Sequence, residues 1–252
     1  MRSPTRPPLR TSNPALREDV FTATRLDEGR GTMTVNGTVN KTALLLILAL
    51  LTASASWVLG AGGGPGVTGW AIGASLGGLA VAIATIVRPR WSPYTAPIYA
   101  LLEGVILGLV SMWFEARYPG IAIQAVALTF GVFGVMLVLY RTGVVKVTQR
   151  FRAGVLAATL GIAVVYLVSL VLGLFGVRVP LLNDASPLGI LISLAIVTVA
   201  ALNLVLDFDL IDRGARSGAP AYMEWYAAFG LLVTLVWLYL ELLRLLAKLR
   251  ER

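Results

Sequence analysis

From about residue 42 onward the chain alternates between long apolar runs and short polar breaks. Seven runs lie at about 42–60, 68–88, 94–114, 120–140, 154–176, 187–208 and 223–247. As helices rising about 1.5 Å per residue, each is long enough to cross a hydrocarbon core of about 30 Å. The pattern predicts an all-α integral membrane protein with seven transmembrane helices. Residues 1–41 differ, being polar, rich in proline and charged with both signs. They read as an N-terminal segment without a signal-peptide core, disordered to about residue 30. A short ordered run, Thr32 to Thr38, follows, with Asn36-Gly37 as a turn signal and Asn40 as the cap of a helix starting at Lys41-Thr42. The expected organisation is a 1–41 segment and a 42–252 membrane domain.

Composition supports lipid as the solvent: 57% of residues are hydrophobic and 13% charged, where soluble domains carry about 25% charged residues. Mean hydropathy is +0.81. There is no cysteine and no histidine. That excludes disulfide frameworks, thiol and serine–histidine enzymes, zinc fingers and His-ligated haem. Any proton-linked switch has to be built from Asp or Glu. With no nucleophile–base set in view, the chain reads as a non-enzyme that needs no cofactor.

The net charge of +8 is distributed as a membrane topology would distribute it. Placing the N-terminus in the cytoplasm puts 15 of the 21 Lys and Arg on the cytoplasmic side and two in the outer loops. This positive-inside bias predicts a cytoplasmic N-terminus. Arg244, Lys248, Arg250 and Arg252 then fall outside, against the rule. Basic residues that flank apolar spans are not clustered on one soluble face, so nucleic acid is not an expected partner. Trp57, Trp70, Trp91, Trp113 and Tyr140 sit at span ends as interfacial anchors. Gly73 with Gly77, and Gly104 with Gly108, allow close helix approach inside the bundle.

Acids that hydrophobicity does not explain carry the functional information, since a carboxylate at mid-span costs on the order of 2.5–3.5 kcal/mol. Glu103 lies near the middle of the third run, Asp207 closes the sixth, and Glu241 lies within the seventh. Structural readings exist for each: Asp207 at the headgroups with Asp209, Asp212 and Arg213; Glu241 neutralised by Arg244 at i+3; Glu103 protonated beside Gly104 and Gly108. The functional reading is a polar path, with Asn203 one turn before Asp207 and on its face. Buried carboxyls favour the protonated form, more so when two share a site, and such a pair binds a hard cation and releases it on protonation. Two near misses carry nothing. Asp207 to Gly218 starts like an EF-hand but lacks its closing Glu. Gly37 to Thr42 ends like a phosphate loop but lacks the glycine before Lys41.

Several segments resemble the bacterial branch of the Bax inhibitor-1, or transmembrane Bax inhibitor motif, family. They are Leu204 to Ile211 around Asp207-Phe208-Asp209, Met223-Glu224-Trp225-Tyr226, Leu238 to Leu246 around Glu241, and Arg88 with Arg90 followed by Tyr94-Thr95-Ala96-Pro97 and Leu102 to Gly108. The resemblance spans about residues 42–247. It implies seven helices with the last one central, wrapped by the other six, in a bacterial inner membrane. It also implies a pH-sensitive calcium leak, with calcium as permeant ion. Asp207 matches the first acid of the family's sensor pair and Glu241 the second, with Glu in place of Asp; Arg88 is the arginine expected to engage them. Thirty-four residues separate the two acids, and Glu241 lies about 27 Å along a helix from Met223. Either part of 213–226 extends as helix into the cytoplasm and lowers Glu241, or the pairing is altered here. Two other classes stay open: a regulator of a membrane protein partner such as a protease, and a proton-coupled carrier.

Overall fold

The computed structural model describes residues 31–62, 66–176 and 184–251. The expected disordered tail, most of the Gly-rich first junction, Arg178 and Arg252 lie outside them. Seven long helices follow in order: α1 (Val35–Ala61), α2 (Val67–Val87), α3 (Ser92–Arg117) after a 3-10 turn at Pro89–Trp91, α4 (Ile121–Arg141), α5 (Gln149–Leu174), α6 (Pro187–Arg216) and α7 (Met223–Arg250). All seven are long and apolar enough to span a bilayer.

The last helix is the core. Of its apolar stretch 72% is buried, against 50% for α6 and 6% for α5. A helix that is apolar on all faces has to be surrounded, by protein or by lipid. Here α7 takes the protein and α5 takes the lipid. Direct packing on α7 comes from α1, α3, α4 and α6, while α2 rests on α3 and α5 rests on α6. The last helix is central as expected, with four helices packed along it and α2 and α5 further out, α5 reaching it through Tyr166.

The first helix starts earlier than its composition suggests. Thr34 is the N-cap, accepting from the Gly37 amide at 2.9 Å. Asn36-Gly37 and Asn40 lie inside α1, not in a turn and a cap. Tertiary contact overrides the local turn signal. Thr34 donates its backbone N–H and its hydroxyl to Glu224 Oε1, both at 2.8 Å, and Lys41 pairs with Oε2. A Cβ on Gly37 would lie 2.1 Å from Glu224 Oε1, so glycine is what allows this approach. Met33 N–H to Ala219 O at 2.6 Å, and Ala221 N–H to Gly31 O at 2.9 Å, fasten the preceding strand-like residues to the same corner.

Gly104 and Gly108 serve internal packing, as their spacing suggests. Cβ atoms there would meet Ala49 O at 2.3 Å and Ala53 O at 2.1 Å, so α3 lies backbone-to-backbone on α1. Gly77 only touches Leu102, and Gly73 faces no neighbour. At the other end of the chain α6 continues eight residues past its apolar run. Asp209–Arg213 and Asp212–Arg216 pairs at i,i+4 support that extension.

The corner formed by Thr34, Lys41 and Glu224 puts the starts of α1 and α7 on one side of the bundle, and α7 ends on the other. There Lys248 donates to Gly189 O at 3.1 Å and Ser193 Oγ at 2.8 Å, and Arg250 donates to Pro119 O at 2.7 Å and Gln124 Oε1 at 2.9 Å. The basic C-terminal end is held by protein groups on the face opposite the N-terminal one.

Candidate functional site: a polar seam between α5, α6 and α7

Helix α5 is largely apolar, and three of its polar side chains lie along one line. Arg152, Thr159 and Tyr166 recur every seven residues, which keeps them on one face of a helix. Each reaches a polar partner on α6 or α7.

Nearest the N-terminal side, Arg152 Nη2 donates to Asp209 Oδ2 at 2.7 Å. Arg213 closes on the same carboxylate, with Nε to Oδ1 at 3.1 Å and Nη2 bound to Oδ2. Asp212 beside it accepts from the Tyr140 hydroxyl of α4 at 3.3 Å and pairs with Arg216 at 2.8 Å. Two residues back, Asp207 is completely buried. One turn deeper, the buried Asn203 side chain donates to Thr159 Oγ1 at 2.8 Å and to Val199 O at 2.9 Å.

Towards the far side, the Tyr166 hydroxyl donates to Glu241 Oε1 at 2.6 Å. Arg244 Nη1 donates to that tyrosine oxygen at 2.7 Å and to Glu241 Oε1 at 3.2 Å, with its guanidinium 5.2 Å from the tyrosine ring centroid. Glu241 is 1% exposed. The local neutralisation expected of Arg244 is present, and α5 adds a second partner to it. Lys248 with Ser193 and Gly189 completes the column at the far face.

The residues singled out from sequence are thus only partly brought together. Asp209 and Asn203 share the seam, while Asp207, two residues from Asp209, is buried on a side of α6 other than that of Asp209. Glu241 shares it too, but not the site of Asp207. Asp207 lies about 14 Å from the C-terminal end of α6, and Glu241 about 27 Å from the start of the antiparallel α7. Their depths differ by about 13 Å. The α6 extension to Arg216 is real, but α7 starts at Met223 and does not lower Glu241. A shared pair, and the calcium site expected from both acids, is therefore corrected. Among the described residues no group of three or more acids is placed to hold a metal ion.

Arg88 is corrected as well. It caps α2 at the surface, exposed, with its guanidinium 5.0 Å from the Trp91 ring centroid. Glu103, half-buried, lies beside Tyr99 one turn earlier and faces Gly78 of α2, outside the seam.

A family model described as Bax inhibitor 1 like matches residues 13–251. The chain belongs to the Bax inhibitor 1 like family. No curated protein and no solved structure matches it. The central last helix agrees with the arrangement that the resemblance implies. Tyr166, Thr159, Arg152 and Lys248 were not among the sequence candidates for this site. The seven-residue recurrence on α5 is the signal that finds the first three.

Proposed function

We propose that this protein is a pH-sensitive leak for calcium across the membrane, with the α5/α6/α7 seam as its path and carboxylate protonation as its control. The seam itself carries the reading. Ionisable and polar side chains are costly inside a bilayer and concentrate where ions or protons pass. Here they run from Asp209 through Asn203 to Glu241 and Lys248, with Asp207 buried on α6 between the levels of Asp209 and Asn203. Asp207 and Glu241 act as two separate oxygen stations for a hard cation, not as one chelating pair.

The control follows from what holds α5. This helix is little buried, so Asp209–Arg152, Asn203–Thr159 and Glu241–Tyr166 add to a thin apolar contact around Val155 in holding it. Two of the three need a charged carboxylate at full strength. Protonation of Asp209 leaves Arg152 and Arg213 without their anion, with Asp212, Arg216 and Tyr140 as the remaining neighbours. Protonation of Glu241 weakens its links to Tyr166 and Arg244. Acidification therefore loosens α5 and opens the seam. With no histidine in the chain, carboxylates are the side chains suited to this switch.

Calcium entry into dye-loaded proteoliposomes tests the reading. Flux rises on acidification in the wild type, and Asp207→Asn reduces it. Absence of flux at every pH, with a membrane protein co-purifying stoichiometrically, favours a regulatory role. Saturable exchange that dissipates a pH gradient favours a proton-coupled carrier.

A further inference from the structure

The stretch that joins α4 to α5, Arg141 to Arg152, holds four basic side chains and no acid. On the same face Lys41, Arg152, Arg213 and Arg216 each pair with a carboxylate, of Glu224, Asp209 or Asp212. Arg141, Lys146 and Arg150 do not. They are exposed, and among the described residues no carboxylate lies within ion-pair distance of them.

These three cations stand on a fixed turn. Gly143 takes a left-handed φ of 71°, and Val145 N–H returns to Leu139 O at 3.2 Å, which closes the end of α4. Thr148 N–H donates to Lys146 O at 3.0 Å, and Thr148 Oγ1 accepts from Phe151 N–H at 3.1 Å to start α5. A turn held at both ends loses little further freedom when something binds to it. Apolar side chains alternate with the charges: Val144 is 70% exposed, and Val145 and Val147 flank Lys146 half-buried.

A soluble anion offers nothing to an exposed valine. A membrane interface offers phosphates to the cations and upper acyl chain to the valine. The loop joins two membrane-spanning helices, so the headgroups of one leaflet lie at its level. Zwitterionic headgroups would leave three positive charges uncompensated, whereas anionic ones neutralise them.

We propose that the α4–α5 loop binds anionic phospholipids of the leaflet on the N-terminal side, through Arg141, Lys146 and Arg150, with Val144 among the acyl chains. The proposal is independent of the leak reading, since none of these side chains belongs to the seam.

The chain has no native cysteine, so Val144→Cys places a fluorophore on the loop, and Phe175→Cys places one at the opposite, similarly exposed end of α5. Each labelled full chain is reconstituted in phosphatidylcholine nanodiscs. A small fraction of phosphatidylglycerol or of phosphatidylcholine carries the same nitroxide quencher high on one acyl chain. At Val144→Cys, quenching by phosphatidylglycerol is expected to exceed that by phosphatidylcholine roughly fivefold, the factor that one basic residue contributes at an anionic surface. At Phe175→Cys the two lipids are expected to quench alike. Arg141→Gln, Lys146→Gln and Arg150→Gln together are expected to remove the preference, and high salt to reduce it. Equal quenching by the two lipids at Val144→Cys would overturn the proposal, as would a preference of the same size at Phe175→Cys. A preference that survives the triple substitution would take it away from these residues and overturn it too. Loss of the preference on adding inorganic phosphate at constant ionic strength would assign the cations to a soluble anion, with the same consequence. The two labelled proteins decide the question even where the triple variant does not fold.

Discussion

Tyr166 of α5 donates its hydroxyl proton to Glu241 of α7 across 2.6 Å. Arg244 donates to both, so one cation, one carboxylate and one phenol close a triangle inside the bundle. The Glu241 carboxylate is buried and relies on these two partners. Tyr166→Phe removes one of them without changing the ring. The expected cost is about 1–3 kcal/mol, the range for a lost hydrogen bond to a charged buried acceptor. Denaturation of the purified protein measures that cost. On the leak reading, calcium flux at neutral pH rises in the same variant.

Asp209 makes a sharper test of the pH control, because Asn keeps its shape and removes its charge. Asp209→Asn is expected to leak at neutral pH as the wild type does in acid, and to respond less to further acidification. Arg152→Ala removes the α5 side of the same link and is expected to raise neutral flux as well. Flux recorded against pH for the three proteins checks this. A neutral-pH flux in both variants equal to that of the wild type would remove Asp209 from the switch.

Gly37 is expected to tolerate no side chain. Gly37→Ala places a methyl group 2.1 Å from Glu224 Oε1 and forces apart the contact that joins α1 to α7. Overpacking of this kind costs about 1–3 kcal/mol. A lowered melting temperature, partly restored by shortening the acid in Glu224→Ala, is the expected result. The second substitution relieves the clash but leaves Lys41 and Thr34 without their acceptor, so restoration is incomplete.

The two ends of the membrane domain emerge on opposite faces. Because the chain has no native cysteine, Lys146→Cys and Glu251→Cys report this without background. A membrane-impermeant maleimide applied to intact cells is expected to label Glu251→Cys and to reach Lys146→Cys only after permeabilisation. That outcome follows from the positive-inside bias together with an odd number of crossings.

The spans were legible in the sequence because hydrophobic length is a local property. The positions of Asp207, Asp209 and Glu241 were legible for the same reason, as charges next to or inside apolar runs. Their partners were not. Tyr166 reads as one more large side chain in an apolar run, and Thr159 as an ordinary small residue. Only the shared face of Arg152, Thr159 and Tyr166 distinguishes them, and it gains meaning once α5 is seen to lie against α6. Glu224 was hidden more deeply, since its partner Thr34 is 190 residues away and no local pattern joins them. The same contact explains why a plausible turn at Asn36-Gly37 is helix. The resemblance supplied the central last helix, but also a pairing of Asp207 with Glu241 that the depths of the two residues do not permit. The second alternative raised by their wide spacing, an altered arrangement of acids, is the one that applies.

Movement of α5 away from α6 is the step on which the pH-controlled leak depends, and a reversible tether measures it most directly. Thr159→Cys and Asn203→Cys replace side chains that touch at 2.8 Å across the two helices. Bridged by a short thiol crosslinker that reduction cleaves, the double variant is expected to lose acid-induced calcium flux and to regain it when the reductant is added. Flux that continues undiminished with the bridge in place would show that ions do not pass by separation of α5 from α6.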